Sequence, residues 1–469
     1  MTGIAARTLF LSLLLLPLLS PALCEAESLE GGRAVGDTLT VVMRPILSVP
    51  EIVTPGGSFT IEAIAPQTTS DWTASLVRGS ESHTLSIESA SYETGYGRWF
   101  LNAAVPQGVP EEIYTLELSA SGGIYDEVAH AVMVRHSIDS DFYFVHITDT
   151  HLPTHLYYYQ EGADTDTTEM DDLRTVIRDI NLMNPAFVLL TGDVVNEGEL
   201  EDFLDKRYYT RAQRILQELD VPVFMSAGNH DIGGWDETPP SDGTARRHRW
   251  KFFGWPYLDD PPLGDNDTQD YSFDYAGVHF VSLEAYNNYD RWRRSIYGRD
   301  SFTSEQLSWI ASDVGAVPPD VPVVAFYHMD FQEQLNLSSL GVDGALWGHI
   351  HYSMGDENST PFDLATETVC DGERAMRVVH VSGGTVTPSE PTGAGSIGRT
   401  MYVNYDLPND GTVTENTASV INGHPETFDD GRIVFLMDAS EAPYEVDNGT
   451  LIQTMTEGGV STCYVDVQL

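Results

Sequence analysis

Five short blocks of this chain carry residues that bind metal ions, and each block follows an apolar run. "HITDTH" closes on Asp149 and His151; "LLTGDVVNEG" holds Asp193; "MSAGNHD" holds Asn229, His230 and Asp231; "VAFYHMD" holds His328; "LWGHIH" holds His349 and His351. A chain with only 14 histidines in 469 residues spends two of them one residue apart in "GHIH". Imidazole nitrogens and carboxylate oxygens together suit Zn²⁺, Mn²⁺ or Fe, whereas Ca²⁺ takes oxygen ligands. Taken singly, a D-x-H tripeptide or a G-D turn is common by chance. The ordered series D-x-H, G-D, G-N-H-D, H, G-H-x-H, each after an apolar strand, is the specific signal. Gly192, Gly228 and Gly348 directly precede ligands, and glycine lets the backbone turn sharply there.

Such residues need elements to hold them. Apolar strands are expected at Phe142–Thr148, Pro185–Thr191, Val221–Ser226, Val321–Tyr327 and Gly344–Trp347. Between them lie helical stripes at i, i+3, i+4, i+7: Leu173, Val176, Ile177 and Ile180, then Ala212, Ile215, Leu216 and Leu219. A third helix opens on a Thr303–Gln306 capping box, and "YSFDYAGVHFVSLEA" reads as a hairpin turning at Ala276-Gly277. Strand–helix alternation argues for an α/β layered domain, whose sites gather at the carboxyl ends of strands. The strands after about residue 400 are expected to complete a sheet edge. The long segment from Ile232 to Asp270, rich in Pro, Gly and Asp, reads as a functional loop beside the site.

Upstream, residues 38–138 alternate in short β-like runs broken by Pro and Gly, the pattern of an immunoglobulin-like or fibronectin-like sandwich. Residues 1–24, with Arg7 ahead of "LFLSLLLLPLLSPALC", read as a secretory signal peptide, and residues 25–37 as a linker. An exported protein, secreted, periplasmic or at the cell surface, follows; no second stretch reaches membrane-spanning length. In that setting Cys370 and Cys463 are expected to pair in one disulfide, contributing roughly 4 kcal/mol, with two buried free thiols as the alternative. The formal net charge of −47 disfavours nucleic acid as a partner held by the overall surface, because that binding neutralises phosphates with Lys and Arg. Two arginine clusters stand out, Arg246, Arg247 and Arg249, and Arg291, Arg293 and Arg294. They are expected to pair with surface carboxylates, the alternative being that one grips distal phosphates.

On these blocks, residues 142 to about 405 resemble the calcineurin-like metallophosphoesterase superfamily. The resemblance implies a four-layered α/β/β/α sandwich over residues 139–469, preceded here by the all-β immunoglobulin-like domain. It implies two divalent or transition-metal ions (Mn, Zn or Fe), the first held by Asp149, His151, Asp193 and His351. Asp193 would bridge, and Asn229, His328 and His349 would complete the second site. His230 would sit over the substrate as general acid or phosphate contact, oriented by Asp231. The implied reaction is hydrolysis of a small-molecule phosphate mono- or diester by a metal-bridging hydroxide. The purple acid phosphatase branch carries a tyrosine three residues after the G-D aspartate, where this chain has Asn196, so its purple charge-transfer centre is not expected. His155, shortly after D-x-H, reads as an exposed loop histidine rather than a rim residue, and Asp330 has no assigned role. The competing reading is a cell-surface binding or adhesion protein that uses the phosphoesterase domain as a scaffold. Oligomeric state is not legible.

Overall fold

The computed structural model describes residues 37–155, 168–201, 207–232, 244–254, 268–285, 301–395 and 401–469. The signal peptide, most of the linker, the cluster Arg291–Arg294 and much of the Ile232–Asp270 segment lie outside the described residues.

Two β-sheets stacked face to face form the centre of the α/β domain. The first runs in the order 223–226, 188–191, 142–147, 375–382, 385–388, with the first three strands parallel and 375–382 antiparallel to 142–147. The second runs 271–275, 278–283, 323–327, 344–347, 362–365, parallel from 278–283 onward. Strands such as Val188–Thr191, Val323–Tyr327 and Gly344–Trp347 are buried at every residue, as expected where both faces of a sheet are covered. Between the sheets lies an aromatic layer: Phe224 stacks on Phe273 at 3.7 Å, and Phe187 meets Phe280 edge-on at 5.2 Å.

Helices cover the outer faces. Helix Thr168–Met183 buries Leu173, Val176, Ile177 and Ile180 against the first sheet, the stripe its sequence period requires. Helix Ser304–Ala316 covers the second sheet through Ile310 and Val314. Its capping box forms: Gln306 N donates to Thr303 Oγ1 at 3.1 Å and Thr303 N to Gln306 Oε1 at 3.0 Å. The layers are therefore α/β/β/α. All five expected strands form within a few residues of their expected ends, as does the hairpin Tyr271–Tyr275/Val278–Leu283.

The N-terminal region is two sheets, in the orders 42–44, 58–63, 98–104, 86–93 and 51–53, 124–134, 112–120, 73–78, 81–84. Ile61, Leu101 and Ala103 of one and Leu76, Leu116 and Val132 of the other join a single buried cluster that also contains Phe144, Tyr271 and Phe280 of the α/β domain. The stretch leading into the first strand and the turn after it join them. Met225 N donates to Ser48 O at 3.0 Å, Ser48 Oγ to Phe253 O, and Leu39 N to Lys251 O at 2.9 Å.

Three expectations are corrected. The strands Gly431–Asp438, Thr450–Glu457 and Val460–Val467 do not complete a central sheet edge. They form their own antiparallel sheet, which grips the N-terminal region. Tyr464 Oη donates to Glu112 at 2.6 Å, and Arg432 pairs with Glu111 at 2.8 Å. The edge is instead completed by 375–393. Cys370 and Cys463 are both buried and free, because one lies in a loop beside the ligand-bearing strands and the other in this C-terminal sheet. The middle of the Ile232–Asp270 segment is a helix, Thr244–Phe253, whose Phe252 and Phe253 enter the core. Its arginines follow suit: Arg246 pairs with buried Glu284, and Arg249 lies over the Phe253 ring at 4.9 Å.

Candidate metal centre

Each ligand-bearing block leaves the carboxyl end of a central strand, and the ligands themselves make the turn. Asp149, His151, Asp193, His349 and His351 all have left-handed backbones, with φ of 54°, 45°, 48°, 71° and 57°. A non-glycine residue in this region costs on the order of 1 kcal/mol or more, so the loops store several kcal/mol of strain. Cross-loop hydrogen bonds hold them there, among them Asp149 N to Gly192 O at 3.1 Å and His151 N to Asp193 O at 2.9 Å. Glycine's part differs from the expectation. Only Gly192 of the three has positive φ; a Cβ on Gly348 would lie 1.9 Å from Thr148 Oγ1, so that glycine allows close approach rather than a turn.

Two groups of donor atoms converge. His151 Nε2 and His351 Nε2 are 3.2 Å apart, with Asp149 Oδ1 3.4 Å from the latter. Beside them, His328 Nε2 lies 3.1 Å from Asp193 Oδ2 and 3.1 Å from Asn229 Oδ1, and His349 Nδ1 lies 2.9 Å from the same Asn229 oxygen. Asp193 Oδ2 also stands 3.8 Å from His151 Nε2, which puts it between the groups. The donor set fits divalent cations on its own evidence. Asp149 Oδ1 is fully buried without a hydrogen-bond partner, and ring nitrogens face one another across 3.2 Å in both groups. Nitrogen and oxygen donors alone suit Zn²⁺, Mn²⁺ or Fe.

The protonation states are those of neutral donors at His151 and His349, whereas His328 and His351 are both raised above the ordinary histidine value, His351 because its burial is outweighed by the nearby Asp149, Asp193 and Asp371. Burial pushes His151 down to about 3 and His349 down to about 4, so both rings are neutral. Burial opposes ionisation of Asp149 and Asp193, but the surrounding imidazoles prevail and hold both carboxyls below their usual range. Burial also opposes protonation of His328, yet the charge and hydrogen bond of Asp193 raise it to about 9.

His230 lies at the lip of this cluster, its ring 4.7 Å from that of His151. Its main-chain N–H donates to Asp193 Oδ1 at 2.8 Å and its Nδ1 meets the main-chain oxygen of Asn196. Asp231 does not orient it. The helical turn Asn229–Ile232 points that carboxylate inward, where it accepts from Val194 N at 3.0 Å, Val195 N at 3.1 Å and Gly228 N at 2.9 Å. Asp231 thus ties the G-D loop to the G-N-H-D loop. Asp330 caps its own loop, accepting from Leu335 N at 2.8 Å.

The sequence reading missed three residues. His155 is at the rim after all, its ring 4.3 Å from that of His151, with Nδ1 3.0 Å from Asp371 Oδ2. Asp371 and Cys370 arrive on the loop after strand Phe362–Ala365. No motif marks that loop, and the sequence offers Cys370 as half of a disulfide or as a buried free thiol, not as a donor.

The family model for calcineurin-like phosphoesterases matches residues 142–353, the span of these five blocks. Residues 142–353 are a calcineurin-like phosphoesterase domain. Among curated proteins, the chain is similar to a probable cyclic nucleotide phosphodiesterase of Rhodococcus erythropolis, 22% identical over 54% of this chain and 84% of that one. It is also similar to purple acid phosphatase 18 of Arabidopsis thaliana, 26% identical over 35% of this chain and 37% of the relative. Among solved structures are a purple acid phosphatase from Lupinus luteus seeds and a dimetal phosphatase from Danio rerio. The first is 12% identical at TM-score 0.41 over 74% of this chain and 70% of that one; the second is 16% identical at 0.38 over 54% and 98%. The phosphoesterase domain places the donor residues of both groups at one end of its paired sheets.

Proposed function

We propose that the chain hydrolyses phosphate mono- or diesters at a centre where Asp149, His151, Asp193 and His351 hold one divalent transition-metal ion. Asp193, Asn229, His328 and His349 would hold a second. The observation that carries this reading is the convergence of both donor groups on Asp193, with the Asp149 oxygen buried and otherwise unpartnered. Two such ions supply a nucleophilic water at neutral pH and Lewis-acid contacts to phosphate oxygens. The protein's own part is positioning and proton transfer. The Asn196 carbonyl accepts Nδ1–H of His230, which leaves Nε2 as the nitrogen that exchanges the proton: the doubly protonated ring would give its Nε2 proton to the leaving oxygen and return to the neutral Nδ1–H form. Asp193 fixes the same residue through its main-chain N–H, so acid and ligands move as one unit.

A small phosphate ester is favoured over nucleic acid by the net charge of −47, which leaves attraction for an anion to the centre itself. Export rests on the apolar run after Arg7, and N-terminal sequencing of protein from a secreting host tests it. The N-terminal sheets, read as an immunoglobulin-like module, fasten rather than catalyse: among the described residues they contribute to none of the metal-competent groupings.

The test is hydrolysis of chromogenic phosphate mono- and diesters with Mn²⁺ or Zn²⁺, in wild type and Asp193→Asn. A loss above about 100-fold in kcat/KM is expected, since changes one layer outside a metal site already cost 10–100-fold. No hydrolysis of either ester with any metal would hand the chain to the scaffold reading.

A further inference from the structure

We propose that the chain has a third cation site, for Zn²⁺ or a similarly thiophilic divalent ion, built from His155, Cys370 and Asp371 with Nδ1 of His351 at its fourth corner. Zn²⁺ sits about 2.0–2.1 Å from nitrogen and oxygen ligands and about 2.3 Å from sulfur, so tetrahedral ligand atoms lie about 3.3 Å apart, or about 3.5 Å where one is sulfur. The observed separations follow that figure within about half an ångström. His155 Nδ1 to Asp371 Oδ2 is 3.0 Å, Asp371 Oδ2 to Cys370 Sγ is 3.5 Å, and His155 Nδ1 to Cys370 Sγ is 3.9 Å. His351 Nδ1 lies 3.8 Å from Asp371 Oδ2.

Partly buried hydrogen bonds hold both halves of the site. One buried carboxylate, Glu169, accepts from both halves: His155 N donates to Oε1 at 3.4 Å and Asp371 N to Oε2 at 2.9 Å. Gly372 N donates to Asp172 at 2.8 Å, and Arg374 pairs with the same carboxylate at 2.6 Å. On the inner side, Cys370 N donates to the main-chain oxygen of Asp149 at 3.1 Å, so the loop is bolted to a ligand of the first centre. Asp371 itself takes a left-handed backbone, φ 60°.

The chemistry separates this site from its neighbour. The dinuclear groups offer only nitrogen and oxygen, while this one adds a thiol, a donor that selects for zinc over manganese. Binding forms bonds from the ion to Cys370 sulfur and to Nδ1 of His351 and releases two protons to solvent, the thiol proton and, with Nε2 turned to the first centre, the remaining ring N–H proton, which leaves His351 as a bridging imidazolate. Asp371 is half exposed, which leaves an entry path, and His351 would face the first centre with Nε2 and the third with Nδ1. A cation here adds positive charge at the rim where an anionic substrate arrives.

The experiment strips the full chain with a chelator and refills it with Co²⁺ or Zn²⁺. Cobalt bound to a thiolate has a near-ultraviolet sulfur-to-metal charge-transfer band that nitrogen and oxygen ligands lack. That band is expected in wild type, in Cys24→Ser, in Cys463→Ser and in Asp193→Asn, and is expected to vanish in Cys370→Ala. Zinc should bind with three equivalents in wild type and two in Cys370→Ala. The variants His155→Asn and Asp371→Asn should weaken the third equivalent at least tenfold, which keeps the test decisive if Cys370→Ala does not fold. Absence of the band in wild type, its survival in Cys370→Ala, or a third equivalent untouched by all three variants would overturn the site. Asp193→Asn keeps the test apart from the dinuclear reading: it should damage that centre and leave the band.

Discussion

The main-chain N–H of His349 donates to Oδ2 of Asp149 at 2.9 Å, so a residue of one donor group is hydrogen-bonded to a residue of the other. The two groups are mechanically one, even though "GHIH" divides its histidines between them. His349 Nδ1 turns to Asn229 and His328; His351 Nε2 turns to Asp149 and His151.

That division predicts the pattern of metal loss. His349→Ala and His351→Ala should each retain one tight equivalent of the dinuclear pair, and the double variant neither. Asp193→Asn should weaken both. Metal analysis after dialysis reads this directly; loss of both equivalents from either single variant would mean the histidines serve one ion.

Asp231 should matter through folding of the loops rather than through contact with substrate. Asp231→Ala strands three buried N–H groups, those of Val194, Val195 and Gly228, each worth about 1–3 kcal/mol when left unsatisfied. A stability loss of at least ~2 kcal/mol in denaturant melts is expected, with a smaller one for Asp231→Asn, which keeps one acceptor oxygen. A full-strength Asp231→Ala would contradict the arrangement.

The architecture was largely legible in the sequence, and the reasons are physical. Strands buried on both faces must be continuous apolar runs, and helices on a sheet must carry a 3.6-residue stripe; both left their mark. The donor residues that converge were legible because metal-binding chemistry draws on few side-chain types, here His, Asp and Asn. What hid was everything carried by the backbone. The Asn196 carbonyl that holds His230 could belong to any residue, and left-handed φ at five ligands leaves no sign in their types. Asp371 and Cys370 were hidden because their partner His155 is distant in sequence.

Removal of metal should destabilise the protein. Strained ligand loops and converging donors in the native state gain from a cation that the unfolded chain does not hold. A ligand at about 100 times its Kd adds about 2.7 kcal/mol. Chelation is expected to lower Tm by several degrees, and added Zn²⁺ or Mn²⁺ to restore it; an unchanged Tm in scanning calorimetry would count against tight binding.

Far from the centre, His279 is predicted to make stability depend on pH. Its Nε2 lies 2.9 Å from Asp313 Oδ2 and its Nδ1 2.8 Å from Asp274 Oδ1. Burial opposes its protonation, but the two carboxylates prevail and raise its pKa above the ordinary histidine value. The ion-pair stabilisation is therefore complete below the unfolded-state pKa, about 6.5, and is lost as pH rises through the folded value. His279→Gln should cost up to about 1 kcal/mol at low pH in urea melts, with the gap to wild type narrowing toward alkaline pH. A gap that widens would reverse the assignment.

The exposed run 136–141 between the N-terminal sheets and the phosphoesterase domain has the look of a hinge, but it cannot serve as one. Ser48 is bonded to Met225 and Phe253 across that junction, and Tyr464 and Arg432 clamp the far side. Any swing would break both. The consequence is for engineering: cutting the chain at 138 would take the Ser48 oxygen from Met225 N, leave Phe253 O with Gln269 as its remaining donor, and bare the apolar face around Tyr271. The smallest portable catalyst must therefore carry its leading sheets and its C-terminal sheet with it.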